Sequence, residues 1–334
     1  MKAYEINPAT ADGVLRLVDR PDPKPEAGEV LVRIRAASLN YRDLLVADNA
    51  YGVSTNNLIP LSDGAGEIIA LGAGATKHRI SDRVAGAFYP DWISGPITAG
   101  NKKRGLGGTI DGVLAEYLVL GEDALIPVPQ HLSFEEAATL PCAALTAWNA
   151  LTEISRLRPG QSILLQGTGG VSIFALQFAK AMGAQVFHIS SSREKLARLR
   201  EMGADHVLNY RENPDWDSQV LSLTNGRGVD VVVEVGGPGT LERSFRAVRV
   251  DGSIVTIGFV GGGAEINPRM IIGRAIRLTG ISVGSADMFN DMNRAIALHG
   301  LRPVVDEVFP FERAADAYAK LRAGRHFGKV VITV

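Results

Sequence analysis

The sequence predicts an α/β protein in which a mostly β region precedes a doubly wound parallel sheet of six strands. Short β-branched segments interrupted by Gly and Pro fill residues 27–128, as is typical of a β domain. From about residue 160, apolar segments alternate with helical ones about every 20 to 25 residues, as in successive βαβ units. A chain of 334 residues also exceeds one ordinary core, so two domains are expected.

The elements follow from these patterns in chain order. Four strand candidates lie in the β region, and six apolar strands with four intervening helices make up the doubly wound sheet, whose crossovers should be right-handed. The last fifty residues break the alternation and are expected to return to the first domain. The predicted strands are 29–36, 66–71, 83–88, 115–119, 162–166, 185–190, 206–208, 229–235, 253–257, 277–283 and 329–334, and the predicted helices are 171–182, 194–202, 216–223, 240–248, 288–299 and 314–323.

Composition narrows the class of ligand. The chain is 46% apolar and 21% charged, and 35 basic against 36 acidic residues leave a net charge of −1. This balance favours a small-molecule ligand over nucleic acid or a membrane surface. The single cysteine, Cys142, excludes an intramolecular disulfide and fits a reducing compartment. The first residues turn polar at once, so a cytoplasmic protein is expected.

The most informative segment is 162–182, where a strand, a glycine turn and an amphipathic helix follow one another. Gly167 permits the tight turn, and Gly169 lets the backbone approach a pyrophosphate with no side chain between them. The helix that begins near Gly170 directs free N–H groups and a positive dipole end at that anion. Ser172 stands at the third motif position instead of Gly or Ala; a tight turn without a ligand is the alternative. The predicted pyrophosphate-binding residues are Gly167, Thr168, Gly169, Gly170 and Val171.

The residues at the end of the second strand of the sheet help to distinguish an NADP site from an NAD site. An acid would be expected there if the adenosine ribose were unphosphorylated. The chain instead has three serines at 190–192 and then Arg193, Glu194 and Lys195. Hydroxyls and cations suit a 2′-phosphate, so NADP is favoured over NAD. The alternative is an ordinary helix cap at Ser192, and the two interpretations can coexist.

Several phrases together resemble the medium-chain dehydrogenase/reductase superfamily, specifically its zinc-independent quinone oxidoreductase branch. They are ASLNYRD at 37–43, DGAGE at 63–67, DRV at 82–84, DGVLAEY at 111–117, ATLP at 138–141 and FGKVV at 327–331. The resemblance covers essentially the whole chain. It implies a GroES-like, mostly β catalytic domain from residues 1–128 and 285–334, and a Rossmann domain from 129–284. It also implies a homodimer formed through the sixth strands of the Rossmann sheets.

The resemblance also bears on zinc. Zinc-containing members place Cys and His where this chain has Asn40 and Ser62, and a further Cys that matches Cys142. A catalytic zinc needs about three N, S or carboxylate donors, and one thiol with the nearby Asp63 falls short. The structural four-cysteine lobe is absent, and the six histidines show no ligand spacing. No metal is predicted.

The resemblance places three candidate catalytic residues in one phrase. Asn40 would lie beside the nicotinamide and its ribose, and Tyr41 and Asp43 would lie close to the substrate. Tyr41 would donate a proton or a hydrogen bond; alternatively, Tyr41 packs and Asp43 pairs with its neighbour at a helix start. Related reductases carry a Tyr where this chain has Leu45, and Tyr51 is a possible substitute.

The same resemblance implies further cofactor contacts. Thr146 would pack against the nicotinamide, and backbone after the fifth and sixth strands would meet the carboxamide. The alternatives are a helix-interior hydroxyl and an ordinary glycine loop. The residues concerned are Ser191, Lys195 and Tyr210 for the 2′-phosphate and adenine, and Gly258, Phe259, Val260 and Val283 for the carboxamide.

These features predict an NADPH-dependent, zinc-independent reductase of quinones, enones or similar activated alkenes and carbonyls. Without a Lewis acid nothing lowers the pKa of an alcohol, whereas hydride delivery to an activated double bond needs only hydrogen bonding or a proton. The loops around Tyr51 and 88–92 are apolar and aromatic, which favours a small apolar substrate. A metal-free alcohol or aldehyde dehydrogenase is the first alternative, and a cofactor-binding protein with a non-catalytic role is the second. The glycine-rich, basic stretch 100–108 is expected to be a mobile surface loop.

Overall fold

The computed structural model describes residues 1–7, 15–52, 55–258 and 266–334, and divides the chain into two compact units. The first unit contains Met1–Leu145 and Val283–Val334, and the second contains Thr146–Ser282. Residues 129–145, assigned to the Rossmann domain from the sequence, belong here to the first unit. One physical reason is the backbone N–H of Cys142, which donates to Oδ2 of Asp63 at 3.1 Å.

The helices and strands of the described residues have the following bounds. The strands are β1 Lys2–Ile6, β2 Leu15–Asp19, β3 Glu29–Ser38, β4 Asp63–Leu71, β5 Arg83–Gly86, β6 Tyr117–Gly121, β7 Leu125–Pro127, β8 Ser162–Gln166, β9 Gln185–Ser190, β10 His206–Asn209, β11 Val229–Glu234, β12 Val248–Thr256, β13 Arg277–Gly280, β14 Val305–Pro310 and β15 Lys329–Thr333. The α-helices are α1 Tyr41–Ala47, α2 Phe134–Ala137, α3 Leu145–Asn149, α4 Gly170–Ala181, α5 Arg193–Glu201, α6 Trp216–Leu223, α7 Pro238–Ala247, α8 Pro268–Ile272, α9 Ala286–His299 and α10 Ala314–Arg322. Two π-helical turns, Leu140–Ala144 and Ala150–Ile154, flank α3.

The second unit is built on a parallel sheet, as predicted. Within the described residues its six strands run in the order β10-β9-β8-β11-β12-β13. Every residue of β8 and β11 is buried, because helical layers cover both faces of such a sheet. Phe187, Trp216 and Phe245 are the large aromatic residues of the core on one side. The strand order reverses between β8 and β11, and ligands of doubly wound sheets bind at the carboxyl ends of strands at this point.

The first unit carries a mostly antiparallel sheet in the order β14-β15-β3-β4-β5-β7, with β6 also paired to β3. Burial alternates along most of β3, as expected for a strand with one face towards a core. The closing strand β15 pairs antiparallel with β3, with Val331 opposite Ser38. This pairing brings Lys329, at the start of β15, beside the residues that follow β3.

The stretch 100–108 and the apolar character of the helices complete the description of the fold. The expectation of a mobile surface loop at 100–108 is wrong for its second half, because Leu106 is fully buried and its N–H donates to the Phe88 carbonyl at 3.1 Å. Within the described ranges, none of the helices combines the length and the apolar character required to cross a bilayer.

Candidate active site

The predicted pyrophosphate turn connects β8 to α4. Gly167 has φ of +71°, a left-handed conformation that glycine adopts readily. Gly169 is the N-cap residue of α4, and a Cβ built on it would meet no atom within 4 Å. The space in front of this helix start is therefore open, so the residues fit a bound dinucleotide phosphate.

Ser172, the departure from the glycine motif, is buried on the first turn of α4. Its hydroxyl donates to the carbonyl oxygen of Gln166, the last residue of β8, at 2.6 Å. The third motif position must let helix and strand pack closely. Ser172 meets this need with a small side chain and adds a hydrogen bond that ties the helix to the strand.

The end of β9 gathers the residues predicted to recognise the adenosine phosphate. Ser192 caps α5, with its hydroxyl accepting from the backbone N–H of Lys195 at 3.4 Å, so the helix-cap interpretation is correct. The N–H of Tyr210 donates to the Ser190 carbonyl at 3.2 Å, which brings the Tyr210 backbone to this strand end. Ser191 lies between the strand and the cap. The cap engages the backbone N–H of Lys195, and the 2′-phosphate interpretation stays a prediction.

The residues predicted to meet the nicotinamide have distinctive backbone. A Cβ on Gly258 would lie 2.7 Å from the Val235 carbonyl oxygen, so only glycine fits that close approach. Val283 has φ of +39°, which is rare for a β-branched residue and is often found at functional sites. Thr146 is buried on α3 between the two π-helical turns, a feature that also recurs at functional sites. Phe259 and Val260 lie outside the described residues.

A buried polar cluster lies where β3 ends in the first unit. The ammonium of Lys329 donates to the carbonyl oxygen of Leu39 and to Oδ1 of Asn40, both at 2.6 Å, and lies 3.8 Å from Oδ2 of Asp63. Lys329 is 3% exposed and Asp63 is fully buried. Oδ1 of Asp63 accepts from the Ser62 hydroxyl at 2.7 Å. Lys329 is not among the residues predicted for the site, although it stands in one of the phrases that carry the resemblance.

The other two candidate catalytic residues, Tyr41 and Asp43, lie in the first turn of α1 and differ in their exposure to solvent. Oδ2 of Asp43 accepts from the backbone N–H of Asn40 at 2.6 Å, and burial raises the pKa of Asp43 to about 7 against the opposing effect of Arg42. Asp43 is 1% exposed, so its carboxylate is closed to solvent. Its contact with the N–H of Asn40 stabilises the start of α1. Tyr41 is 46% exposed, which leaves its phenol accessible.

Arg42 joins the aromatic loops predicted to contact substrate. Its guanidinium lies over the Phe88 ring, 4.6 Å from the centroid, and donates to the Leu106 carbonyl at 3.0 Å. Burial raises the pKa of Tyr51 and Tyr89, although the charge of Arg42 lowers both. Both phenols therefore stay protonated at neutral pH and can donate hydrogen bonds.

The residues at the zinc-ligand positions do not fit a catalytic zinc. The amide oxygen of Asn40 is engaged by Lys329, and the Ser62 hydroxyl donates to Asp63. Burial raises the pKa of the Cys142 thiol, whereas metals bind the thiolate. A lysine ammonium already faces Asp63. In the part of the chain that the structure describes, no three His, Cys, Asp or Glu side chains converge as a metal site would need.

Comparisons with known proteins cover both units. Residues 26–130 match the family of alcohol dehydrogenase GroES-like domains, and residues 170–298 match that of zinc-binding dehydrogenases. A zinc-type alcohol dehydrogenase-like protein of Schizosaccharomyces pombe is 44% identical over 93% of this chain and 92% of its own. A quinone oxidoreductase of Pseudomonas aeruginosa is 31% identical over 96% and 95%.

Solved structures agree with these relatives. A crystal structure from Sinorhizobium meliloti, described as an alcohol dehydrogenase, has a TM-score of 0.93 at 40% identity, covering all of this chain and 98% of that one. A mycobacterial protein complexed with NADPH has a TM-score of 0.83 at 26% identity and covers both chains completely.

Proposed function

The chain belongs to the medium-chain dehydrogenase/reductase superfamily, and from this premise we propose that it is an NADPH-dependent, zinc-independent reductase of quinones, enones or similar activated alkenes and carbonyls. Membership makes it an NAD(P)-dependent oxidoreductase. The observation that carries the finer proposal is the cluster of Lys329, Asn40 and Asp63. An amide and an ammonium occupy a site whose zinc-containing counterparts carry metal ligands, which supports a reaction without a Lewis acid.

The choice of NADPH is supported by the end of β9. Ser191 stands there where a carboxylate would select an unphosphorylated ribose, and Lys195 lies in the first turn of the helix that follows. A serine hydroxyl and an ammonium are suitable donors for a phosphate. The mycobacterial protein of the same fold was crystallised with NADPH, which supports the same choice.

The bound cofactor supplies a hydride, and the chain's own residues supply the rest. For an enone, the cofactor would supply the hydride for the β-carbon and would itself be oxidised, so the site would have to deliver one proton to the α-carbon or the oxygen. Tyr41 is the first candidate for that proton and Tyr51 is the second, because both phenols are partly exposed. Asn40 would donate a hydrogen bond, and Asp43 would act only by holding the backbone of Asn40.

A metal-free alcohol or aldehyde dehydrogenase is the second candidate, favoured by the names of the relatives that are 44% and 40% identical. We also propose a homodimer, because β13 is the edge strand of its sheet within the described chain and an edge strand can pair with a second copy. No nucleic-acid or membrane partner is proposed.

A substrate panel tests the function. We expect purified protein to consume NADPH with at least one quinone or enone, and more slowly or not at all with simple aldehydes. Oxidation of alcohols with NADP⁺, without turnover of any quinone or enone, would favour the second candidate. Tight NADPH binding without any turnover would favour a non-catalytic role.

A further inference from the structure

We propose that Lys329 is a positioning residue of this reductase. Its buried ammonium holds the Asn40 side chain in one orientation, with Oδ1 turned to the ammonium and Nδ2 kept as a hydrogen-bond donor for an oxygen of the substrate or cofactor. The inference rests on the proposed function and names a residue that acts through Asn40. It starts from three contacts of Lys329 within the first unit.

The orientation of the amide follows from donor and acceptor chemistry. An ammonium has three donors and no acceptor, so only the oxygen of the Asn40 amide can face it. The separation of Nζ and Oδ1, 2.6 Å, is that of a strong, charge-assisted hydrogen bond. A flipped amide would set its NH₂ group against the ammonium. Lys329 therefore fixes which end of the amide is free.

The position of the ammonium is itself fixed. A second hydrogen bond runs to the carbonyl oxygen of Leu39 at 2.6 Å, and the third direction faces Oδ2 of Asp63 at 3.8 Å. Asp63 is held in turn by the Ser62 hydroxyl and by the N–H of Cys142. Asp63 lies in β4, Lys329 in β15 and Cys142 in the first π-helical turn, and Leu39 directly follows β3, so the cluster is anchored by the sheet and not by a single loop.

The free end of the amide is an unused donor. Nδ2 of Asn40 is buried and has no acceptor within hydrogen-bond distance. Burial raises the pKa of Asp63, and the Asn40 side chain is one of the hydrogen-bonding groups that lower it, although Nδ2 and the carboxylate form no hydrogen bond of standard geometry. Buried polar groups without partners are uncommon and point to a ligand or a functional role. A carbonyl oxygen of the substrate or a ribose oxygen of the cofactor would accept a hydrogen bond from Nδ2.

A double-mutant cycle tests the coupling. Removing Lys329 alone would leave the buried Asp63 carboxylate uncompensated and destabilise the fold, so the cycle is run in an Asp63→Asn background. There, Lys329→Met should lower kcat by about 10-fold or more, with the Kd for NADPH, from cofactor fluorescence, within about 3-fold. In Asp63→Asn/Asn40→Leu protein, the same Lys329→Met change should lower kcat by less than about 2-fold, because the residue acts through Asn40. Lys320→Met is the matched control, because this partly exposed lysine of α10 pairs with Asp306 and Glu307 outside the cluster.

An equal loss of kcat in both backgrounds, or no loss in either, would overturn the proposal. So would a rise in Kd that accounts for the whole loss in kcat/KM, since Lys329 would then serve cofactor binding. The kinetic arm needs a turned-over substrate. If wild-type protein reduces no compound of the panel, the result contradicts the proposed function and not the positioning role of Lys329.

A readout without activity decides the orientation separately. In protein labelled with ¹⁵N-asparagine, the side-chain NH₂ signals of Asn40 are those that vanish in Asn40→Leu protein. Against the Asp63→Asn parent, Lys329→Met should shift or broaden these signals, because the amide then loses its fixed partner. Lys320→Met should leave them in place. Asn40 signals unchanged by Lys329→Met would refute the positioning role.

Discussion

The Nε2 atom of His188 lies 2.6 Å from the carbonyl oxygen of Gly167, so a side chain of β9 supports the turn that follows β8. A carbonyl oxygen only accepts, so the neutral imidazole carries its proton on Nε2. Burial lowers the pKa of His188 to about 4, and Nδ1 has no partner. The pyrophosphate turn thus depends on an uncharged, buried histidine.

This contact predicts a pH dependence of stability. The folded pKa of about 4 lies below the unfolded value of about 6.5, so the unfolded state binds more protons between the two. The contribution of His188 is therefore complete above pH 6.5 and is lost as the pH falls towards 4, on the order of 3 kcal/mol in all. His188→Gln, which keeps a donor near Nε2, should remove this part of the acid sensitivity in urea unfolding. The exposed His299→Gln should not, and equal pH profiles for the two variants would contradict the claim.

Asp43 predicts a dependence of opposite sign. Its folded pKa of about 7 lies above the unfolded value, so the folded state binds more protons in that window. Stability from this group is full below about pH 4 and declines as the pH rises to 7. Asp43→Asn, whose amide oxygen can still accept from Asn40, should be more stable than wild type at pH 8 by a few kcal/mol (on the order of 2 to 4). The difference should nearly vanish at pH 4, and a constant difference between pH 4 and 8 would count against a buried, titrating Asp43.

Ser191 and Lys195 should set the preference for NADPH. Ser191→Asp places a carboxylate beside the expected 2′-phosphate, and Lys195→Met removes a cation from it. Each variant should lower the ratio of kcat/KM for NADPH over NADH by about 10-fold or more, which is a loss of about 1.4 kcal/mol. Arg200→Met, on the same helix α5, is the matched loss of charge and should leave the ratio unchanged. A ratio that stays constant in all three would place the phosphate elsewhere.

The proton donor can be identified by removing one hydroxyl at a time. Tyr41→Phe should lower kcat/KM by about 10- to 100-fold if its phenol protonates the substrate, because general acid catalysis contributes at least that much. Tyr51→Phe should then have a small effect. The reverse pattern would transfer the role to Tyr51, and two unaffected variants would point to water as the proton source.

The parallel sheet was predictable because both of its faces are buried. The bounds of β8, β9 and α6 match the sequence prediction, since continuous apolar runs and a clear helical period mark them. The seven-residue α1 was not predicted, because its span is too short to show a period. The buried half of the 100–108 stretch was missed because its glycines and basic residues outweighed the single side chain of Leu106.

Within the candidate site too, some residues could be predicted from the sequence and others could not. The glycine turn is local, and its chemistry follows from consecutive residues. The contact of Lys329 with Leu39 joins residues 290 positions apart and exists only because β15 pairs with β3 in one register. No pattern along the chain encodes that pairing. The contact of Lys329 with Asn40, which occupies a zinc-ligand position, was therefore found only from the structure.

The kinetics of metal-stripped wild-type protein test zinc independence and the preference for NADPH together. After dialysis against a chelator, with zinc absent by elemental analysis, the rates of NADPH and NADH oxidation would be measured with a naphthoquinone and an enone. We expect full activity without metal and a kcat/KM for NADPH at least about 10-fold above that for NADH. Activity that disappears with the metal and returns on addition of Zn²⁺, or a preference for NADH, would contradict it.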